Sequence, residues 1–317
     1  MTEQIVGPRL PDFRTLILDV ALRVRMKRRN RSRVVTAEGL RIGARRFRES
    51  MARLKQPPFV VVEATTAGGR PAEWVSLQSN AGALSDKSAA KRVVLYFHGG
   101  GFFMSSPVEH RGFTWRMAKA CAGRVLAVDY RKAPDHAFPA WLDDAFAAYK
   151  ELLDAGHSPS DIVVSGDSAG GNIALALAHR LRRDGLPMPG KLVLFSPWAD
   201  LACKGESFDR NARRDAMFNS DAVRALGSFL TRGCDPLDPE LSPAYADFTG
   251  FPDMLIFAGS TEVFLDDART VARRAREAGV RVELHVYRHM PHVFPMFAAV
   301  VPSVKSAFAT VARFVAA

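Results

Sequence analysis

Apolar residues follow two rhythms along this chain of 317 residues. Six short, nearly continuous apolar runs read as buried strands: "RVVLYF" at 92–97, "RVLAVDY" at 124–130, "DIVVSG" at 161–166, "KLVLFS" at 191–196, "DMLIFAG" at 253–259 and "VRVELHVY" at 280–287. Between several of them the period lengthens, and 141–153, 172–183 and 266–278 read as amphipathic helices. Strands apolar on both faces, alternating with helices, predict an α/β fold whose mostly parallel sheet is covered on both sides. Before the alternation starts, and just after Pro57-Pro58, "FVVVEA" (59–64) and "EWVSLQ" (73–78) read as a hairpin joined by "TTAGGRP". That hairpin supplies an antiparallel edge. The polar stretch "AGALSDKSAAK" (81–91) reads as a loop.

Two segments stand outside the alternation. Residues 1–56 are helical in pattern and basic, and residues 201–238 leave the end of one strand, carry a helix predicted over 220–231, and return late to the next strand. Excursions from the C-terminal ends of strands in such sheets tend to cover a site. The expected organisation is therefore an N-terminal helical cap segment at 1–56 and an α/β domain at 57–317, interrupted by a cap insert at about 201–238. No internal repeat or low-complexity tract breaks this pattern.

Composition narrows the class. With 48% hydrophobic and 24% charged residues, the chain can bury a large core without staples. No uncharged stretch reaches the roughly 20 apolar residues of a membrane span. Cys121, Cys203 and Cys234 are odd in number and lack a CxxC, which argues against a disulfide framework or thiolate metal site and favours a reducing, cytoplasmic setting. The N-terminal apolar positions are interrupted by Asp19 and followed, not preceded, by basic residues, so a secretory signal is not expected. The formal net charge is +11, densest in "RVRMKRRNRSR" (23–33). Such a run raises the question of a nucleic-acid or anionic-membrane surface. However, Phe13, Leu16, Ile17, Val20 and Val24 recur at helical spacing, which reads as a packed helix with a solvated basic end. No nucleic-acid partner and no stable membrane insertion are expected, and the charge is assigned to solubility and substrate steering.

The chemistry sits in two glycine clusters. The strand at 161–166 runs into Gly166-Asp167-Ser168-Ala169-Gly170, with a helix following at once. G-x-S-x-G between strand and helix is the nucleophile elbow of the α/β-hydrolase fold, in which a strained serine stands at the sheet's edge. A serine attacking a carbonyl needs fixed donors for the developing oxyanion. The strand at 92–97 ends in His98-Gly99-Gly100-Gly101, whose amides no side chain obstructs; Gly100 and Gly101 are the main donors, Ala169 a third, and Gly99 part of the same hole or of its turn. His98 is read as shaping that turn. The base and acid should follow the serine in the order acid, then histidine. His292, in "RHMPHVF", is the chosen base and His289 the alternative. Glu262, directly after "DMLIFAG", is the chosen acid and Asp200 the alternative, while Asp266 and Asp267 are assigned to capping the next helix. Phe102, Phe103 and Met104 beside the glycine loop, with Met217, Phe218 and Leu226 from the insert, are candidates to line the substrate pocket, ordinary packing being the competing role for each.

Taken together, HGGGF at 98–102, GDSAGG at 166–171, "DYRKAPDHAFPAWLDD" at 129–144, "FSPWADL", "LSPAYAD" and "MPHVF" resemble the bacterial hormone-sensitive-lipase family of esterases in the right order over most of 59–317. The resemblance implies an α/β-hydrolase core with a helical cap, carboxylic esters of short to medium acyl length as substrates, and no metal or organic cofactor. It departs at Thr261, where the family often has the acidic Asp; Glu262 remains, as in glutamate-using members. Asp135 stands where Glu is usual. A homodimer through the sheet edge, frequent in the family, is neither required nor excluded. Lipase, lactonase or amidase action would use the same triad, and a non-catalytic ligand-binding relative is disfavoured by the presence of both Ser168 and His292.

Overall fold

The computed structural model describes residues 3–27, 34–51, 56–78, 92–298, 300–301 and 304–317. The polar stretch at 81–91 and the end of the basic run at 28–33 lie outside them. All six apolar runs are strands: β4 (Val93–Phe97), β5 (Arg124–Val128), β6 (Ile162–Asp167), β7 (Lys191–Phe195), β8 (Asp253–Gly259) and β9 (Val282–Tyr287). They follow β1 (Gln4–Val6) and the hairpin β2 (Val60–Ala67) and β3 (Arg70–Leu77). One sheet takes the order β1-β9-β8-β7-β6-β4-β5-β3-β2. It is parallel from β1 to β5, and antiparallel where β3 joins β5 and where β2 joins β3. This is the α/β-hydrolase architecture expected above.

The strands are apolar throughout because both faces are buried. Val93, Leu95 and Phe97 of β4 enter one core and Val94 and Tyr96 the other, and β7 and β8 divide their side chains in the same way. Helices α4 (Ala140–Asp154), α5 (Ala169–Arg183) and α8 (Leu265–Glu277) cover the first face, and α3 (Pro107–Cys121) and α9 (Val304–Ala316) the second. The hairpin is longer than its pattern predicts. Gly68 and Gly69, at φ +57° and +72°, make a two-residue turn whose twist matches the strands, so pairing continues to Ala67 and Arg70.

The N-terminal segment differs from expectation in two ways. It is not wholly helical: Gln4–Val6 pairs in parallel with His285–Tyr287 and covers the outer edge of β9. Among the described residues, β1 and β2 are therefore the two edge strands of the sheet. Further on, α1 (Phe13–Leu22), started by an Asp12 cap on the Thr15 amide, continues into a π-turn at Arg23–Lys27, and α2 (Ala37–Met51) follows. The face of α1 that packs is Thr15, Leu18 and Leu22; Phe13, Leu16, Ile17, Val20 and Val24 are exposed. The expected packed stripe thus faces outward. What fixes the helix is Leu18 and Leu22 in the second core, together with the cations that follow: Arg23 donates to the carbonyls of Arg213 and Arg214, and Lys27 to those of Ala212 and Asp215. Within the insert lie α6 (Ser207–Arg210) and α7 (Ser220–Leu230), the latter ending one residue before the predicted limit.

Candidate active site

Ser168 links the end of β6 to α5 with φ 54° and ψ −119°, a conformation costly for any residue with a Cβ. The surrounding backbone makes that turn obligatory. A Cβ on Gly170 would lie 1.9 Å from the Phe97 carbonyl oxygen, so the helix can approach the strand this closely only with glycine there. The Ser168 N–H donates to the Phe195 carbonyl at 2.9 Å, and the Ser168 carbonyl accepts from Trp198 at 3.0 Å.

The His-Gly-Gly-Gly loop lies against this elbow. Gly100 has φ +118° and its carbonyl accepts from the Phe103 and Met104 amides, closing a turn in which a Cβ on Gly100 would meet the Met104 carbonyl oxygen at 2.2 Å. Among the described residues, the N–H groups of Gly100, Gly101 and Ala169 have no acceptor. The Gly99 N–H does have one: it donates to Asp167 Oδ1 at 2.9 Å. Expected as a possible oxyanion donor, Gly99 is instead a strut tying the loop to the residue before Ser168.

Asp167 is the centre of a buried network. The same Oδ1 accepts from the Tyr96 hydroxyl and lies 3.4 Å from His110 Nε2. Burial pushes the Asp167 carboxyl up, but His110, Tyr96 and the Gly99 amide outweigh it and hold it below its ordinary value. Burial likewise opposes charge on His110, yet the carboxylate beside it leaves that imidazole raised. His98 is different. Its Nδ1 meets the Gly99 carbonyl at 2.6 Å, its ring stacks on Tyr130 at 4.4 Å, and burial depresses it to about 4. A neutral imidazole donating from Nδ1 to the loop carbonyl fits the role of shaping the turn.

Across the sheet edge, the structure brings Glu262 and His292 together: His292 Nδ1 stands 2.6 Å from Glu262 Oε2. Glu262 is 0% and His292 2% exposed. Oε1 of the same carboxylate accepts the Gly259 amide at 2.8 Å, so β8 orients Glu262 through its own last residue. The opposite ring nitrogen, His292 Nε2, is buried without a hydrogen-bond partner among the described residues. The link from this pair to Ser168 runs through the end of β7: Phe195 accepts the Ser168 N–H, and the next residue, Ser196, accepts the Val293 N–H on its hydroxyl at 3.0 Å. A buried imidazole held by a carboxylate on one nitrogen and free on the other is equipped to take a proton from a hydroxyl brought to it.

The alternatives are engaged elsewhere. His289 turns to the Arg9 carbonyl at 2.8 Å. Asp200 closes its own turn by accepting the Ala202 and Lys204 amides. Asp266 and Asp267 lie in the first turn of α8, but their side-chain oxygens accept the amides of Ser207 and Asp200, fastening the insert and the residue just before it instead of capping the helix.

Of the pocket candidates, Phe102 is fully buried against Trp141 and Trp198 and belongs to the core, not to an open pocket. Met217 is packed in the second core. Phe218 meets the His292 ring edge-on at 5.0 Å. Phe103 and Leu226 close over Gly101, where a Cβ would lie 3.2 Å and 3.3 Å from them. Met104 is half-buried and contributes its amide to the Gly100 turn. Sequence reasoning missed Asp215, Asn211 and Ser196, which hold the acid and histidine loops; each is a common polar residue in a loop with no motif around it.

A family model described as alpha/beta hydrolase fold matches residues 94–296. The chain is 37% identical over 277 residues to an acetyl-hydrolase of Streptomyces hygroscopicus, covering 87% of this chain and 89% of that one. With an esterase of Acinetobacter venetianus it shares 38% identity over 229 residues, covering 72% of this chain and 76% of the other. A solved structure of an esterase from the bacterial hormone-sensitive lipase family overlays with a TM-score of 0.86 at 34% identity, over 96% of this chain and 98% of that one.

Proposed function

Since the chain belongs to the α/β-hydrolase fold family, among the esterases related to hormone-sensitive lipase, and is a carboxylesterase, we propose that it cleaves short- to medium-chain acyl esters with Ser168, His292 and Glu262 as its catalytic triad. Ser168 Oγ attacks the ester carbonyl while His292 Nε2 takes its proton. The carbonyl electrons move onto oxygen, where the Gly100, Gly101 and Ala169 amides receive the charge. Collapse breaks the bond to the alcohol, which leaves with the proton returned by His292. Water then repeats the cycle on the acyl-enzyme. Glu262 fixes the tautomer and stabilises the imidazolium without itself taking the proton. The scheme needs no metal or organic cofactor. The N-terminal segment and the insert at about 201–238 together form the cap over the site.

One observation carries this reading: the buried Glu262–His292 bond with Nε2 left free, joined through Phe195 and Ser196 to the strained Ser168. Catalytic hydrogen bonds to the nucleophile are often loose before substrate arrives, so rotation of the Ser168 side chain toward Nε2 completes the triad. Hydrolysis of p-nitrophenyl esters from acetate to palmitate tests it. Ser168→Ala should abolish turnover, Glu262→Gln should lower kcat by about a hundredfold or more, and Asp200→Asn should retain most activity. A crippled Asp200→Asn beside an active Glu262→Gln would transfer the role of acid, and flat activity toward palmitate would overturn the chain-length assignment.

A further inference from the structure

The loop from Ala212 to Phe218 is held from two sides. On one, the N-terminal helix grips its backbone: Arg23 donates to the Arg213 and Arg214 carbonyls at 2.8 and 2.7 Å, and Lys27 to the Ala212 and Asp215 carbonyls at 2.6 and 2.7 Å. On the other, the buried Asp215 carboxylate reaches the turn that carries the acid. Its Oδ2 accepts the Val263 amide at 2.9 Å, one residue after Glu262, and its Oδ1 accepts the Met217 and Phe218 amides at 2.7 and 2.9 Å. Asn211 adds a bond from its side chain to the Glu262 carbonyl at 2.8 Å. Phe218, oriented by this arrangement, meets the His292 ring at 5.0 Å, and Phe264, just beyond Val263, meets it at 4.8 Å.

We propose that Asp215 is a positioning residue for the Glu262–His292 pair, and that Arg23 and Lys27 of the N-terminal helix hold it in place. The inference rests on the reading of that pair as the acid and base. Its physical ground is that a carboxylate accepting three amides fixes two loops against each other, whereas a neutral side chain cannot. With Asn at 215, one oxygen can still serve the Met217 and Phe218 amides, but the amide nitrogen then faces the Val263 N–H, donor against donor. Turning the group over moves the conflict to the other two. The Glu262 turn and the Phe218 ring are released together, and the histidine loses both its partner's fixed angle and its wall. The imidazole is faced by the Glu262 carboxylate and by the Phe218 and Phe264 rings.

The full chain carrying Asp215→Asn, and separately Arg23→Gln with Lys27→Met, should be assayed on a soluble p-nitrophenyl ester. Asp215→Asn should lower kcat on the order of tenfold to a hundredfold with KM little changed, the scale of a small misplacement of reacting groups. A residue that only stabilised the fold would reduce the number of competent sites and leave the turnover of each unchanged. The double N-terminal variant should lower kcat by less, again with KM little changed, and Lys27→Arg with Arg23 intact, which keeps the donors, should keep the wild-type kcat. Phosphonate titration of Ser168 counts folded sites, so kcat is expressed per competent enzyme. An Asp215→Asn enzyme with normal kcat per titrated site would leave Asp215 a purely structural residue and overturn the proposal. If Glu262→Gln were itself fully active, the triad reading would fail first, independently of Asp215.

Discussion

Asp167 accepts the Gly99 amide at 2.9 Å, so the residue preceding Ser168 also anchors the glycine loop that faces it. Strand β6 thereby sets both the Ser168 turn and the glycine loop, and a shift in one carries the other. Asp167→Ala would leave the Gly99 N–H and Tyr96 hydroxyl without an acceptor and His110 without its counter-charge. Loss of one partner of a buried ion pair costs about 3–5 kcal/mol. Urea unfolding should show that loss for Asp167→Ala and a smaller one for Asp167→Asn, which keeps an acceptor for Gly99. Equal and small losses would mean that the network carries little of the loop's stability.

His98 sets an acid limit on folding. Its folded value is about 4, depressed by burial, against an ordinary value of 6.5. Between those values the unfolded chain binds the proton that the folded one refuses, so stability is intact above about pH 6.5 and falls as pH drops toward 4. The shift corresponds to roughly 3 kcal/mol across the window. Unfolding free energies of the wild type and His98→Gln, measured from pH 4 to pH 8, should converge at the acid end, because the variant has no proton to refuse. Parallel curves would rule His98 out as the source of the slope.

The fold was legible because its strands are buried on both faces: β8, for example, was bounded by its pattern to the residue. The serine and the glycine loop were legible because a tight turn and an amide cradle demand particular residue types at particular spacings. The histidine and acid rest on chain order and on their place in loops just after strands, and their meeting depends on contacts that no local pattern specifies. The errors fall where tertiary contact overrides local pattern. Gly99 has the free-amide look of its neighbours until Asp167, distant in sequence, takes its N–H. Phe102 sits beside the site in sequence but turns into the core. The apolar stripe of α1 is real, yet the helix is fixed by Leu18, Leu22 and two cations on another face.

Chain-length preference should be set beside the glycine loop at 98–101. Leu226 and Phe103 stand within about van der Waals reach of Gly101, one from α7 of the insert and one from the loop itself. Leu226→Ala removes three heavy atoms there, which makes room for about two methylenes, each worth on the order of 1–3 kcal/mol in an apolar pocket. The optimum on a p-nitrophenyl ester series should move to longer chains in Leu226→Ala, with kcat on acetate little changed. An unaltered profile would place the acyl pocket on the other side of Ser168.

Asp200 and Asp267 form an acidic pair in the seam between the insert and α8, with the Asp200 amide donating to Asp267 Oδ2 at 2.9 Å. Burial, reinforced by the Asp200 carboxylate, raises Asp267 well above the ordinary aspartate range. The folded protein therefore keeps a proton there that the unfolded chain gives up at lower pH. Since the folded state binds more protons, stability is full below the ordinary value near 4 and declines as pH rises toward the raised one. Asparagine is neutral at every pH and retains an oxygen for the Asp200 amide, so Asp267→Asn should abolish this decline. Its melting temperature relative to the wild type should climb between pH 4 and pH 8, a difference that grows with pH instead of a constant offset. A difference that stayed flat across that range would mean that the seam holds Asp267 ionised, with its charge offset by the amides around it.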